Sequence, residues 1–412
     1  MYGGKPSGGE QHLHLIAGKK WADSGARRRI GPRLAGLIVV THAVLFSWNS
    51  PITLFSSSIK YSARPVACEV FASEAQGRWD DTVSKARGEG KVVILGPATA
   101  GIRPSLIDAF QKQFPGISLE YQTGDLASLS PRLRAEIAAE KTSIDVTFSG
   151  AFALLQNRDL LEALPGRIIW SEVAEQNRWR FSKGTGFKWL DREKRYAVQT
   201  SEWIFGYILL NRSLVGPNAV RSWKDLLRPE WKGKIASHDP RGAGAGQAVA
   251  NYLLVTFGER FIIDLFKGQD VVLTRSYSQV ADWLAQGKYA IGIAQVQDRI
   301  ESLRKEGIAL TADGLADAQG YLTGGFSVIA LPKRAPHPNA ATVFLNWFLT
   351  RPGQEAFHRP HLYPSLRTDV PRDYVPEYIL PKPQLEYVDG YGEDMIAIQH
   401  KLGEQVRELL GR

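Results

Sequence analysis

Five short stretches rich in small and polar residues could meet a ligand through their backbone: residues 97–101, 123–125, 149–151, 237–246 and 275–278. Each follows an apolar run and precedes a helical pattern, so each falls where a strand ends and a helix begins. In open α/β sheets the free N–H groups of helix N-termini point to that edge, which suits a small polar or anionic group. The longest stretch, SHDPRGAGAG, lacks the Gly-Lys-Ser/Thr of a P-loop. Nor do its glycines fit a dinucleotide pattern with an acidic residue about 20 positions further on. It reads either as an anion cradle or as a flexible start to the helix behind it.

Catalytic patterns do not emerge. His238 is the only histidine beside one of these turns, no HExxH or Gly-x-Ser-x-Gly occurs, and no His/Cys spacing suits zinc. These absences weigh against an enzyme, and no cofactor or resident metal is expected. An acid pair such as Asp239 with Glu202 leaves catalysis as a rival that sequence cannot place at working distance.

The elements that position these turns centre on residues 91–124. Val92 to Leu95 is an apolar strand, Pro104 and Ser105 open a helix with Leu106, Ile107, Phe110 and Phe114 on one face, and a second strand follows. A β-α-β unit of this kind implies a parallel sheet. A helix over 126–140, a strand over 144–148 and a helix over 152–164 complete a first α/β block. Residues 196–210 form a long extended stretch, suited to a chain crossing between lobes. A second α/β block follows, with a helix over 248–257, a strand over 271–274, a helix over 279–286 and a strand over 290–295. Residues 309–318 read as a solvated loop. The apolar stripe of Ala340, Val343, Phe344, Trp347 and Phe348 reads as core, and a proline-rich tail leads to an amphipathic helix over 394–410.

The net charge of +9 does not indicate a nucleic-acid partner. Residues 1–68 hold nine Lys/Arg against two acidic residues, leaving 42 basic against 40 acidic in the rest. No basic field remains to hold a phosphate backbone. The leader itself, ARRRIGPR before LAGLIVVTHAVLFSW, reads as an export signal, with an uncleaved anchor as the alternative. Cys68, the only cysteine, forbids an intrachain disulfide and sits in Pro-Val-Ala-Cys, similar to the end of a lipoprotein signal.

Four segments together resemble an extracellular solute-binding protein of an ABC importer, in the group that includes ferric-ion and thiamine binding proteins. They are VVILGPATAGIRPSLIDAFQKQFPGISLEYQTGD, WKDLLRPEWKGKIASHDPRGAGAG, LAQGKYAIGIA and GGFSVIALPKRAPHPNAATVFLNWFLTRPGQEAF. The resemblance implies an α/β, two-lobed type II periplasmic binding protein fold, with two crossing strands and a ligand cleft between the lobes. On this reading residues 1–75 are leader and linker, 76–195 plus 326–365 are lobe one, and 196–325 plus 366–412 are lobe two. It implies a monomer that delivers a small solute to a membrane permease, exported to the periplasm and released or tethered through the leader or Cys68. Carried onto this sequence, the cleft would be lined by Thr99, Ala100, Gly124, Asp125, Ser149 and Gly150 from lobe one. Thr200, Glu202 and Trp203 would lie on the crossing, Asp239, Arg241, Gly242, Ser276 and Tyr277 on lobe two, and Tyr321 beside the return. Ferric-ion binders of the group carry adjacent tyrosines where this chain has Gln295-Val296-Gln297-Asp298, and no Tyr-Tyr pair occurs anywhere. A polar or anionic organic solute facing Arg241 is therefore expected over bare iron, while Trp203 leaves a cationic or aromatic ring open. A sensory domain would keep the same cleft but retain an uncleaved anchor.

Overall fold

The computed structural model describes residues 66–411 apart from 125, 277 and 391. The basic and apolar leader thus lies outside the described residues, as do the expected site residues Asp125 and Tyr277. Helix α1, Val66–Glu89, runs past Cys68. Among the described residues no helix is long and apolar enough to cross a membrane.

The expected β-α-β unit forms as β1 (Lys91–Gly96), α2 (Ile102–Gln113) and β2 (Ser118–Thr123). Every β1 residue pairs in parallel with β2, from Lys91 opposite Ser118 to Gly96 opposite Thr123. Parallel pairing needs a crossover helix, and α2 provides it by burying Ile102, Leu106 and Phe110. Helix α3, Leu126–Ala138, leads to β3, Val146–Ser149, on the other side of β1. Asp145 fastens this side: its buried carboxylate accepts from Val93 N at 2.7 Å and His337 N at 2.8 Å. The next helix is shorter than expected, α4 covering only Ala151–Gln156. The chain leaves it because Glu162 N donates to Leu331 O at 2.8 Å and Leu161 bridges Pro332, so an extended contact replaces further helical turns.

After β4 (Lys188–Trp189), the long extended stretch breaks into β5 (Val198–Gln199), β6 (Trp203–Phe205) and β7 (Ile208–Asn211). The break before β7 falls at Gly206, with φ +97°, where an added Cβ would lie 3.3 Å from Gly320 Cα. Strand β7 enters a second sheet with β8 (Ile235–His238), β9 (Val272–Thr274), β10 (Ile291–Ile293) and β11 (Leu310–Asp313), in the order β9-β8-β10-β7-β11. Its helices are α5 (Ala245–Phe257), α6 (Gln279–Ala285) and α7 (Gln297–Lys305). Strand β11 replaces the expected solvated loop: Leu310 and Ala312 are buried, while Arg212 bonds Thr311 and Asp313 from outside, each at 2.7 Å.

The return runs through β12 (Tyr321–Thr323), antiparallel to β6, into β13 (Val328–Ala330). Strand β13 inserts between β3 and β5, giving the first sheet the order β2-β1-β3-β13-β5-β4. Helices α8 (Pro338–Phe348) and α9 (Arg351–His361) close the first core around Phe110, Phe148, Phe344, Trp347 and Phe357. A separate core surrounds the second sheet, from Leu209 and Leu210 to Trp223, Leu253 and Ile291. Helix α10, Glu393–Leu410, adds Leu402 and Val406 to that second core. Its first turn reaches the other lobe instead: Glu393 meets Arg158 Nη1 at 2.6 Å and Arg192 N at 2.9 Å, and Asp394 pairs with Arg192.

Candidate functional site

A cavity of about 200 Å³ lies where the two crossing strands meet the starts of α4 and α5. Lobe one contributes Ser149, Gly150, Phe152 and Ala153 to its lining. Lobe two contributes Ala243, Gly244, Ala245, Gln247, Ala248, Asn251 and Val296. Trp203, Phe205, Tyr321 and Thr323 come from β6 and β12, followed by Gly325 and Phe326. The wall is completed by Tyr363, Gly390 and, from α10, Ile396 and Gln399. None of these residues is charged, and the surface they present is mostly apolar.

Packing fixes the shape of this lining. Trp203 stacks on Tyr363 with centroids 5.1 Å apart, and Phe205 meets Trp203 edge-on at 5.3 Å and Tyr321 at 6.1 Å. These rings are buried in the second core, so they move little without disturbing it. At the start of α5, an added Cβ on Gly246 would meet His238 O at 2.2 Å, so only glycine lets the helix press on the end of β8. Gly246 N donates to His238 Nδ1 at 3.2 Å, and burial pushes that imidazole below its ordinary pKa. His238 is thereby a neutral brace for the turn. Among the described residues, Trp203 Nε1 and Asn251 Oδ1 are buried without a hydrogen-bond partner.

The family model for bacterial extracellular solute-binding proteins matches residues 96–355. The chain belongs to that family. An uncharacterized protein of Haemophilus influenzae is 25% identical over 281 residues, covering 66% of this solute-binding protein and 76% of that one. Among solved structures, the substrate-binding protein of an ABC transporter from Agrobacterium tumefaciens superposes with TM-score 0.61 at 17% identity, over 79% of this chain and 96% of its own. AfuA of Actinobacillus pleuropneumoniae, with fructose-6-phosphate bound, gives 0.60 at 16% identity over 77% and 98%. Iron-bound HitA of Pseudomonas aeruginosa gives 0.58 at 16% identity over 77% and 99%. These likenesses show the two-lobed type II fold.

Of the residues expected to line the cleft of this solute-binding protein, Ser149, Gly150, Trp203 and Tyr321 border the cavity. Gly242 lies one residue before the bordering Ala243. Thr99, Ala100, Gly124 and Ser276 sit on their turns outside the cavity lining, Ala100 and Ser276 exposed. Thr200 is buried beside the first sheet, its Oγ1 2.9 Å from Ser327 O and 3.2 Å from His358 Nε2. Glu202 points the same way, accepting from Lys188 Nζ at 2.7 Å and Ser182 N at 2.8 Å, and Lys188 also meets Asp389 at 2.9 Å.

The charged pair of lobe two behaves differently from expectation. Arg241 forks onto Asp239, Nε to Oδ1 at 3.0 Å and Nη2 to Oδ2 at 2.9 Å, and this holds the Asp239 carboxyl below the usual carboxylate range. Arg241 is thus paired with a neighbour two residues away and lies outside the cavity lining. Sequence reading missed Phe152, Phe205, Asn251, Phe326, Tyr363, Ile396 and Gln399. The aromatic residues looked like ordinary core, and nothing local marks Tyr363 or α10 as neighbours of the crossing.

Proposed function

We propose that the protein captures a small organic solute between its lobes and hands it to an ABC-type membrane permease. The observation that carries this reading is the composition of the cavity, whose walls come from both lobes and from the strands that join them. A ligand there touches every rigid body at once, so it favours the closed arrangement over the open one. The lobes are assigned as residues 76–195 plus 326–365 and residues 196–325 plus 366–412, with 1–75 as an export signal and linker. The protein works as a monomer outside the cytoplasm, released or held at the membrane through its leader or Cys68. It neither turns the solute over nor binds nucleic acid.

A bare ferric ion suits the cavity poorly. Fe(III) prefers several anionic oxygen donors; among the described residues the lining holds no carboxylate and only the separate phenols of Tyr321 and Tyr363, and no cluster of three His, Cys, Asp or Glu side chains is placed to hold a metal. A thermal-shift screen of the purified protein, followed by X-ray scattering with each hit, tests the capture reading. A hit raises the melting temperature by mass action and lowers the radius of gyration. Turnover of a hit by the protein alone overturns the assignment as a carrier.

A further inference from the structure

The two phenylalanines Phe152 and Phe326 have no place in the cores of this molecule. Both are half-buried, both border the cavity, and neither joins any hydrophobic cluster of the described residues. Phe152 lies beside the His400 ring with centroids 6.4 Å apart, and Phe326 has no ring partner among the described residues. They come from different parts of the chain, the start of α4 and the return crossing, and converge on one space. Apolar surface left facing an open cavity gains free energy when a ligand covers it, and a phenyl ring offers a large flat area to cover.

We infer that the captured solute has an uncharged, flat body of about one ring, held against Phe152 and Phe326. This rests on the capture reading above and narrows it. The size follows from the volume: an apolar cavity of about 150 Å³ takes a benzene, and this one measures about 200 Å³, leaving space for a small substituent. The charge follows from the walls. Among the described residues no Lys, Arg, Asp or Glu borders the space, so a full charge there would lose water without a counterion from them. Lys188 pairs with both neighbouring carboxylates, Glu202 and Asp389, and neither carboxylate borders the space. A cation meets a further obstacle, because α5 starts at the cavity and places the positive end of its dipole there. Neutral polar groups of Ser149, Thr323, Gln247 and Gln399 remain to orient an amide or hydroxyl substituent.

The test uses the purified protein with benzamide, nicotinamide and phenol as neutral rings. Benzyltrimethylammonium, inorganic phosphate, fructose 6-phosphate and ferric citrate serve as charged probes. Calorimetry is expected to show saturable binding of at least one neutral ring and none of the charged set. Phe152→Ala and Phe326→Ala each weaken that binding by about tenfold or more, as loss of a ring contact implies, without shifting the ligand-free melting temperature. Phe152→Leu and Phe326→Leu, which keep most of the volume, serve if the alanine variants fold poorly, and they also weaken binding. Binding of charged probes alone, silence from all three neutral rings, or unchanged affinity in the phenylalanine variants overturns the inference. Charged probes that bind and compact the protein leave capture standing. Binding of any solute without compaction counts against capture itself.

Discussion

Thr200 and Glu202 illustrate how a polar side chain on a crossing strand can serve the protein's interior and not its ligand. Glu202, Lys188 and Asp389 form a buried charged cluster, with Lys188 6% and Glu202 4% exposed at the side chain. Removing the ammonium strands two carboxylates, so Lys188→Met is expected to cost about 3–5 kcal/mol in urea unfolding, while Glu202→Gln alone costs less. Near Thr200, burial pushes His361 down to about 3, and His358, buried with it, also falls well below its ordinary value. Both stay neutral in the folded protein while the unfolded chain takes up protons near pH 6.5. Stability from these two sites is therefore full above about pH 6.5 and declines as pH falls from there toward about 3. Unfolding free energies measured across that window should fall less steeply in His361→Gln than in the parent. Sequence showed these residues as polar but not their partners, since Lys188, His358 and Asp389 reach them from distant points of the chain.

Helices and parallel strands were legible because apolar spacing reports a buried face, as in α2 with Ile102, Leu106 and Phe110. The elements that escaped are defined by partners elsewhere. Strand β11 exists because β7 lies beside it, and α4 ends early because residues 161–162 pair with the chain after β13. The crossing depends on backbone that other residues cannot adopt: Gly320 has φ +93°, and an added Cβ would lie 2.4 Å from Phe205 O. Gly320→Ala should destabilise the protein by more than about 1 kcal/mol, checked by thermal and urea melts, because both strain and clash oppose it. At the far end, α10 packs on lobe two while its first turn pairs with Arg158 and Arg192 of lobe one. These pairs are half-exposed, so Arg158→Ala should cost under about 1 kcal/mol of stability. The same variant should speed amide exchange over residues 393–400, since that turn loses its anchor.

Across the whole molecule, two α/β cores are joined by β6 and β12 with a cavity where they cross. The glycine-bearing turn of residues 243–245 and the start of α4, both legible in sequence as strand-to-helix turns, border that cavity. Its chemistry was not legible there. Arg241 looked available in sequence but is paired with Asp239, and the aromatic lining gathers from residues as far apart as Phe152 and Tyr363. The strong positive charge likewise belongs to the leader and not to a binding face. Small-angle X-ray scattering on the purified protein, with and without a solute that binds saturably, tests closure around a ligand most directly. A smaller radius of gyration on saturation is the expected result, and an unchanged radius at full occupancy would contradict capture between the lobes.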